Sequence, residues 1–146
     1  MPTTEADLTA IDLTGGCLCG AVRYRIVSEP QGAGWCHCRT CQLNSGSPAM
    51  AFASVPAADF RVERGQEHIG RVASSPGGER WVCRVCGTPL LAQDKVDPAT
   101  RDFSLATLDD PSRVVPRFRM FYASRIAWDQ PGDDLPRYPR SRSEGL

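Results

Sequence analysis

Cys83-Arg84-Val85-Cys86-Gly87-Thr88-Pro89-Leu90 is the stretch that decides how the rest of this chain is read. Two thiols at i and i+3 can grip one metal ion because the chain turns tightly between them. The glycine after the second cysteine permits a positive φ and leaves backbone N–H groups free to bond the sulfurs. A redox C-x-x-C is the usual competitor, but that motif normally opens a helix, and Thr88-Pro89 does not. The stretch therefore reads as a structural zinc knuckle.

Working outward, Cys17-Leu18-Cys19-Gly20 is the natural second half of the same site. It is a knuckle shortened by one residue, preceded by Gly15-Gly16 and leading into a strand from Ala21. Four thiolates close a tetrahedral structural site, and pairing these clusters staples the two ends of the domain together. Such a site contributes on the order of 10 kcal/mol of apparent binding free energy to folding. All-thiolate ligation favours Zn²⁺, with iron the competitor on ligand softness.

The chain has seven cysteines, and the other three lie in Cys36-His37-Cys38-Arg39-Thr40-Cys41. Three thiolates within six residues can face a second ion and leave its fourth position exchangeable, as catalytic sites do. A distant Asp, Glu or His68 closing that position would make a second inert site instead. His37, between two ligating cysteines, is expected to point away from a metal that both face. Three thiolates outweigh the charge of Zn²⁺, so an open site here is a poor maker of hydroxide. It suits a substrate thiol, which coordination deprotonates at neutral pH. A free thiol near pKa 8.5 is only a few per cent ionised at pH 7.

The totals exclude several classes. At 146 residues, 41% hydrophobic and 23% charged, the chain fits one ordinary globular domain. Seventeen basic residues balance seventeen acidic ones, which argues against nucleic acid as a partner. Met1-Pro-Thr-Thr-Glu-Ala-Asp7 has no apolar signal core, and Pro48 to Ala58 is too short and broken to span a membrane. The expected compartment is the reducing cytoplasm, where clustered cysteines are metal ligands rather than disulfides.

Period-2 alternation dominates. Val22, Tyr24 and Ile26 alternate with Arg23 and Arg25 as in a half-buried strand. Met50 with Phe52, Phe60 with Val62, Ile69 with Val72 and Trp81-Val82 are further candidates. Leu90-Leu91, Phe103 with Leu105, and Phe118 with Met120 and Tyr122 complete the set. No stretch of a dozen residues holds a 3.6-residue period with caps, so no long helix is expected. The fold class is mostly β, made of small antiparallel sheets with zinc-ribbon-like knuckles. Residues 1–13 read as a mobile N-terminal segment, 14–138 as the zinc-binding domain and 139–146 as a mobile tail.

Beyond the knuckles, Gly16-Cys17-Leu-Cys19-Gly20-Ala-Val-Arg-Tyr24, Ser45-Gly46-Ser47 and Ser74-Ser75-Pro76-Gly77 recur with Leu108-Asp109-Asp110-Pro111 and Ser124-Arg125-Ile-Ala-Trp128. Together with the cysteine spacing, this pattern resembles the glutathione-dependent formaldehyde-activating enzyme family from about Gly15 to Tyr138. The resemblance implies a Mss4-like β-tent with two zincs per chain. One zinc is structural, on Cys17, Cys19, Cys83 and Cys86; the second, open one is on Cys36, Cys38 and Cys41. It implies addition of glutathione to formaldehyde, formally a carbon–sulfur lyase reaction, with some members serving other roles, similar to centromere protein V. Zinc-bound glutathione thiolate would attack the aldehyde carbonyl, with His37 the nearby group able to protonate the alkoxide. Arg39, Arg71, Arg80 and Arg125 are the candidates by charge for the carboxylates of glutathione. The competing reading is a non-catalytic binding module in which both zincs only hold the sheets.

Overall fold

The computed structural model describes residues 11–146. Most of the segment expected to be mobile, and the start expected to lack a signal peptide, lie outside the described residues. Among the described residues, short segments punctuated by Gly and Pro form ten β-strands in two sheets. The smaller sheet has the order β1-β2-β5, from Leu13–Gly16, Arg23–Ile26 and Phe60–Arg64.

The larger sheet has seven strands in the order β10-β3-β4-β9-β8-β7-β6. Its members are β3 (Gln31–Cys36), β4 (Met50–Pro56), β6 (Ile69–Ser75) and β7 (Gly78–Cys83). They are joined by β8 (Pro89–Asp94), β9 (Thr100–Ser104) and β10 (Arg119–Met120). Pairing is antiparallel except at β10, which runs parallel to β3. The mostly β expectation holds. One sheet is larger than expected, and β1 and β3 are strands that alternation did not reveal, because Gly15, Gly16, Gly32 and Gly34 break the pattern.

Register divides the larger sheet into two faces, since paired residues share a side and neighbours in sequence do not. Trp81 pairs with Leu91, Leu91 with Phe103 and Phe103 with Ala53. These residues pack against Leu13, Tyr24, Ile26 and Phe60 of the smaller sheet, forming the main core. One residue along, Arg80 pairs with Ala92, Ala92 with Asp102 and Asp102 with Ser54. That second face also carries Phe52, Met50 and Cys36, and it is where the polar chemistry gathers.

Among the described residues a single short α-helix, α1 (Arg39–Ser45), lies within the middle cysteine cluster. At seven residues it is too short to show a period, and it is capped by a cysteine: the Cys38 sulfur accepts the Cys41 N–H. Gly46 ends it in the left-handed region at φ 68°. Past Tyr138 contacts continue. Phe121 N–H donates to the Arg140 carbonyl, and the Arg142 guanidinium lies 4.6 Å from the Phe118 ring centroid.

Phe118 presses on β3 where Gly34 leaves room, and a Cβ there would sit 2.4 Å from the ring. Gly34→Ala is expected to destabilise the domain by about 1–3 kcal/mol through overpacking. In thermal melts it should lower the midpoint by several degrees, and Phe118→Leu in the same chain should recover part of that loss.

Candidate metal centres

The first centre joins the two knuckles. The sulfurs of Cys17, Cys19, Cys83 and Cys86 all lie within 4.8 Å of one another. Cys17 and Cys19 sulfurs are 3.6 Å apart, and Cys19 and Cys83 sulfurs 3.9 Å. Four thiolates at 2.3 Å from a tetrahedral zinc would stand about 3.8 Å from each other. The donor set therefore fits a closed tetrathiolate zinc site.

Local backbone chemistry explains the convergence. Gly20 and Gly87 turn at φ 79° and 82°, where a side chain would be strained. The Cys17 sulfur accepts the Val22 N–H at 3.3 Å. Thr88 ties the knuckles together: its Oγ1 accepts the Leu18 N–H at 3.1 Å and lies 3.2 Å from the Cys86 sulfur. With its lone pair engaged by Leu18, the hydroxyl can donate to Cys86. Hydrogen bonding from Thr88 pulls the Cys86 thiol down to about 5, which favours the thiolate.

The second centre brings Cys36, Cys38 and Cys41 within the same 4.8 Å limit. Cys36 ends β3, Cys38 caps α1 and Cys41 sits one turn into the helix. Cys36 and Cys41 are buried, whereas Cys38 is half-buried. Hydrogen bonding within the cluster lowers the Cys38 pKa, foremost through Cys36, and raises that of Cys36, foremost through Cys38. Three sulfurs and one accessible side fit a metal that keeps an exchangeable position. No other His, Asp or Glu joins the cluster among the described residues.

Cys38 lines a cleft of about 570 Å³ on the second face of the larger sheet. Arg80, Asp102, Asp94, Ser74 and Ser75 also line it. Arg80 is buried, and its Nη2 donates to the Cys41 sulfur at 3.2 Å while Nη1 reaches the Met50 sulfur at 3.6 Å. Asp102 accepts from the Ser54 hydroxyl, and burial raises its pKa.

Of the four arginines expected for glutathione, Arg80 alone lines this cleft. Arg71 lies over the Trp81 ring, Arg125 over Tyr122, and Arg39 donates to Gln42. The Ser74-Ser75-Pro76-Gly77 motif faces the cleft, a placement given by the β6–β7 hairpin. Asp102 and Ser54 escaped sequence reading because neither has a spacing signal to the cysteines or to the other.

His37 is the residue expected both to point away from the cluster and to supply a proton. It does point away from the cluster, but into the protein, with no exposed surface. Its Nε2 lies 3.2 Å from Arg119 Nη1, and a guanidinium can only donate, so Nε2 accepts and the ring proton sits on Nδ1. Nδ1 faces Asp129 Oδ2 at 3.7 Å, and Tyr122 packs edge-on at 5.1 Å. Burial, then Arg119, lowers its pKa and keeps it neutral. His37 is thereby a strut: its N–H donates to the Met120 carbonyl, and its carbonyl accepts the Gln42 amide at 2.9 Å.

The family model described as glutathione-dependent formaldehyde-activating enzyme matches residues 12–124. A Schizosaccharomyces pombe protein named as an uncharacterized lyase is 37% identical over 76 residues, 52% of this chain and 53% of its own. This chain thus spans about half the length of that relative. A Halomonas elongata protein provisionally named glutathione-dependent formaldehyde-activating enzyme is 32% identical over 124 residues, 80% of this chain and 78% of that protein. A Rhodobacter sphaeroides protein of known crystal structure shares the fold, with a TM-score of 0.56 and 28% identity. That likeness covers 71% of this chain and 92% of the other.

Gln42 is buried and bridges the His37 carbonyl to the Ser124 carbonyl, 2.9 and 3.1 Å away. Gln42→Leu removes both donors from beneath the Cys36–Cys38 turn. It is expected to weaken metal binding at the second centre by roughly 10–100-fold. Chelator competition should show one of two metals released early, with the tetrathiolate metal held as in the parent chain.

Proposed function

We propose that this chain, which belongs to the glutathione-dependent formaldehyde-activating enzyme family, adds a thiol such as glutathione to formaldehyde or a similar small aldehyde at Cys36, Cys38 and Cys41. The observation that carries this reading is the placement of Cys38, the half-buried sulfur of the three, on a polar cleft large enough for a tripeptide side chain and backbone. Zinc held by these thiolates would keep a substrate thiol ionised at neutral pH.

The chain's own residues supply the rest. Arg80, beside the Cys41 sulfur, offsets the excess negative charge of three thiolates and a fourth sulfur. It also offers the cleft a cation for a carboxylate, while Asp94 offers a carboxylate for an amine. Glutathione carries two carboxylates and one amine, so the cleft offers a countercharge to one carboxylate and to the amine. Sulfur attack on the aldehyde forms a carbon–sulfur bond and leaves an alkoxide that must take one proton. We assign that proton to Asp102 rather than to His37. Asp102 lines the cleft in an environment that favours the protonated carboxyl, whereas His37 has no exposed surface. Among the described residues no helix is long and apolar enough to cross a membrane.

Zinc analysis beside calorimetric titration of glutathione tests the reading. Close to two zincs per chain are expected, with glutathione binding that Cys38→Ala abolishes while the fold persists. Cys86→Ala should unfold the domain. Two tightly held zincs with no thiol binding would leave a zinc-stabilised binding module instead. Asp102→Asn is expected to slow exchange between formaldehyde and S-hydroxymethylglutathione, followed by NMR, by roughly tenfold or more. Its glutathione affinity should stay near that of the parent chain.

A further inference from the structure

The residues that line the Cys38 cleft are small or polar, with one exception. Phe121 is the single large apolar side chain among the described residues there. The same residue is half-buried and packs, with Met120, against the buried cluster of Cys36, Cys41, Met50 and Phe52. Phe121 therefore belongs both to the wall of the cleft and to the bed of the three sulfurs.

Strand alternation alone would not bring both residues to that place. Met120 pairs with Cys36 at the end of β10, and the next residue of an extended chain would face the other side of the sheet. Phe121 instead turns left-handed, at φ 52° and ψ 36°, and is the one non-glycine residue with a positive φ among those described. That backbone is unfavourable for a bulky side chain, and such strain persists only where the surroundings over-determine it. Here the C-terminal segment does so. The N–H groups of Phe121, Tyr122 and Ala123 donate to the carbonyls of Arg140, Tyr138 and Pro139 at 2.9, 3.0 and 3.1 Å. The Ser124 N–H closes the turn on the Phe121 carbonyl at 3.0 Å. Glycine would make this turn without strain. What phenylalanine adds is a ring held on the sulfur cluster at the edge of the cleft.

We propose that Phe121 is a specificity-determining residue that limits the size of the aldehyde reaching a thiol at Cys36, Cys38 and Cys41, a role that rests on the thiol addition proposed above. An aldehyde with an alkyl chain would have to displace the ring, whereas formaldehyde carries only hydrogens on its carbonyl carbon. The test compares formaldehyde with propionaldehyde as partners of glutathione in the full zinc-bound chain, each rate taken above the unaided reaction. The ratio of kcat/KM for the two aldehydes is read in the parent chain, Phe121→Ala and Phe121→Gly; the glycine variant suits the left-handed turn and guards against a failure to fold. Both variants should hold zinc and turn over formaldehyde much as the parent does. Their ratio is expected to shift toward propionaldehyde by roughly tenfold or more, the scale of a methylene in an apolar pocket. Phe121→Tyr should keep the parental ratio. An unmoved ratio in either active variant, an equal loss for both aldehydes, or loss of zinc from the second centre in both variants would overturn the proposal and leave the thiol reading standing. A parent chain inert toward both aldehydes would overturn the thiol reading and this role with it.

Discussion

Four sulfurs drawn from knuckles more than sixty residues apart converge within 4.8 Å, and the architecture depends on that convergence. Four thiols so close cannot all ionise without a cation among them, because like charges at that range repel strongly. A bound divalent metal turns that repulsion into cross-linking, and the loop it closes contains most of both sheets. Thr88 and the two turn glycines prepare the geometry from the backbone, so the knuckles arrive aligned instead of being pulled together by the metal alone.

Strand register then decides where chemistry can occur. One face of the seven-stranded sheet is consumed by the core against β1, β2 and β5. The other is left to carry Arg80, Asp102, Ser54 and the cysteine cluster. A one-residue slip in β7 or β9 would send Arg80 or Asp102 into the core and Trp81 or Phe103 to solvent. Burial of those aromatics therefore also aligns the polar groups of the cleft.

The C-terminal segment completes the second centre without contributing a sulfur. Arg119 is buried against Trp35, reaches His37, and is neutralised by Asp133 at 2.6 Å. Backbone bonds from Met120 and the Gln42 bridge to Ser124 hold the turn between Cys36 and Cys38. A histidine flanked by two metal-ligand candidates invites a catalytic role. Here alternation of side chains along an extended segment sends it to the side opposite the sulfurs, where its hydrogen bonds are structural.

Much of this protein was legible without coordinates. Cysteine spacing partitioned seven thiols into four and three, because ligands at short separations can reach one ion only through tight turns that glycine marks. Alternation located most strands, since burial of one face repeats every second residue. The short helix α1 and strands β1 and β3 were hidden, for a seven-residue helix is too brief for a period and glycine leaves no side chain to alternate. Which arginine faces the cleft, why His37 is shut inside, and the meeting of Asp102 with Ser54 were decided only by tertiary structure. Each rests on pairing between strands far apart in sequence, and no local pattern encodes which residues those pairings bring side by side.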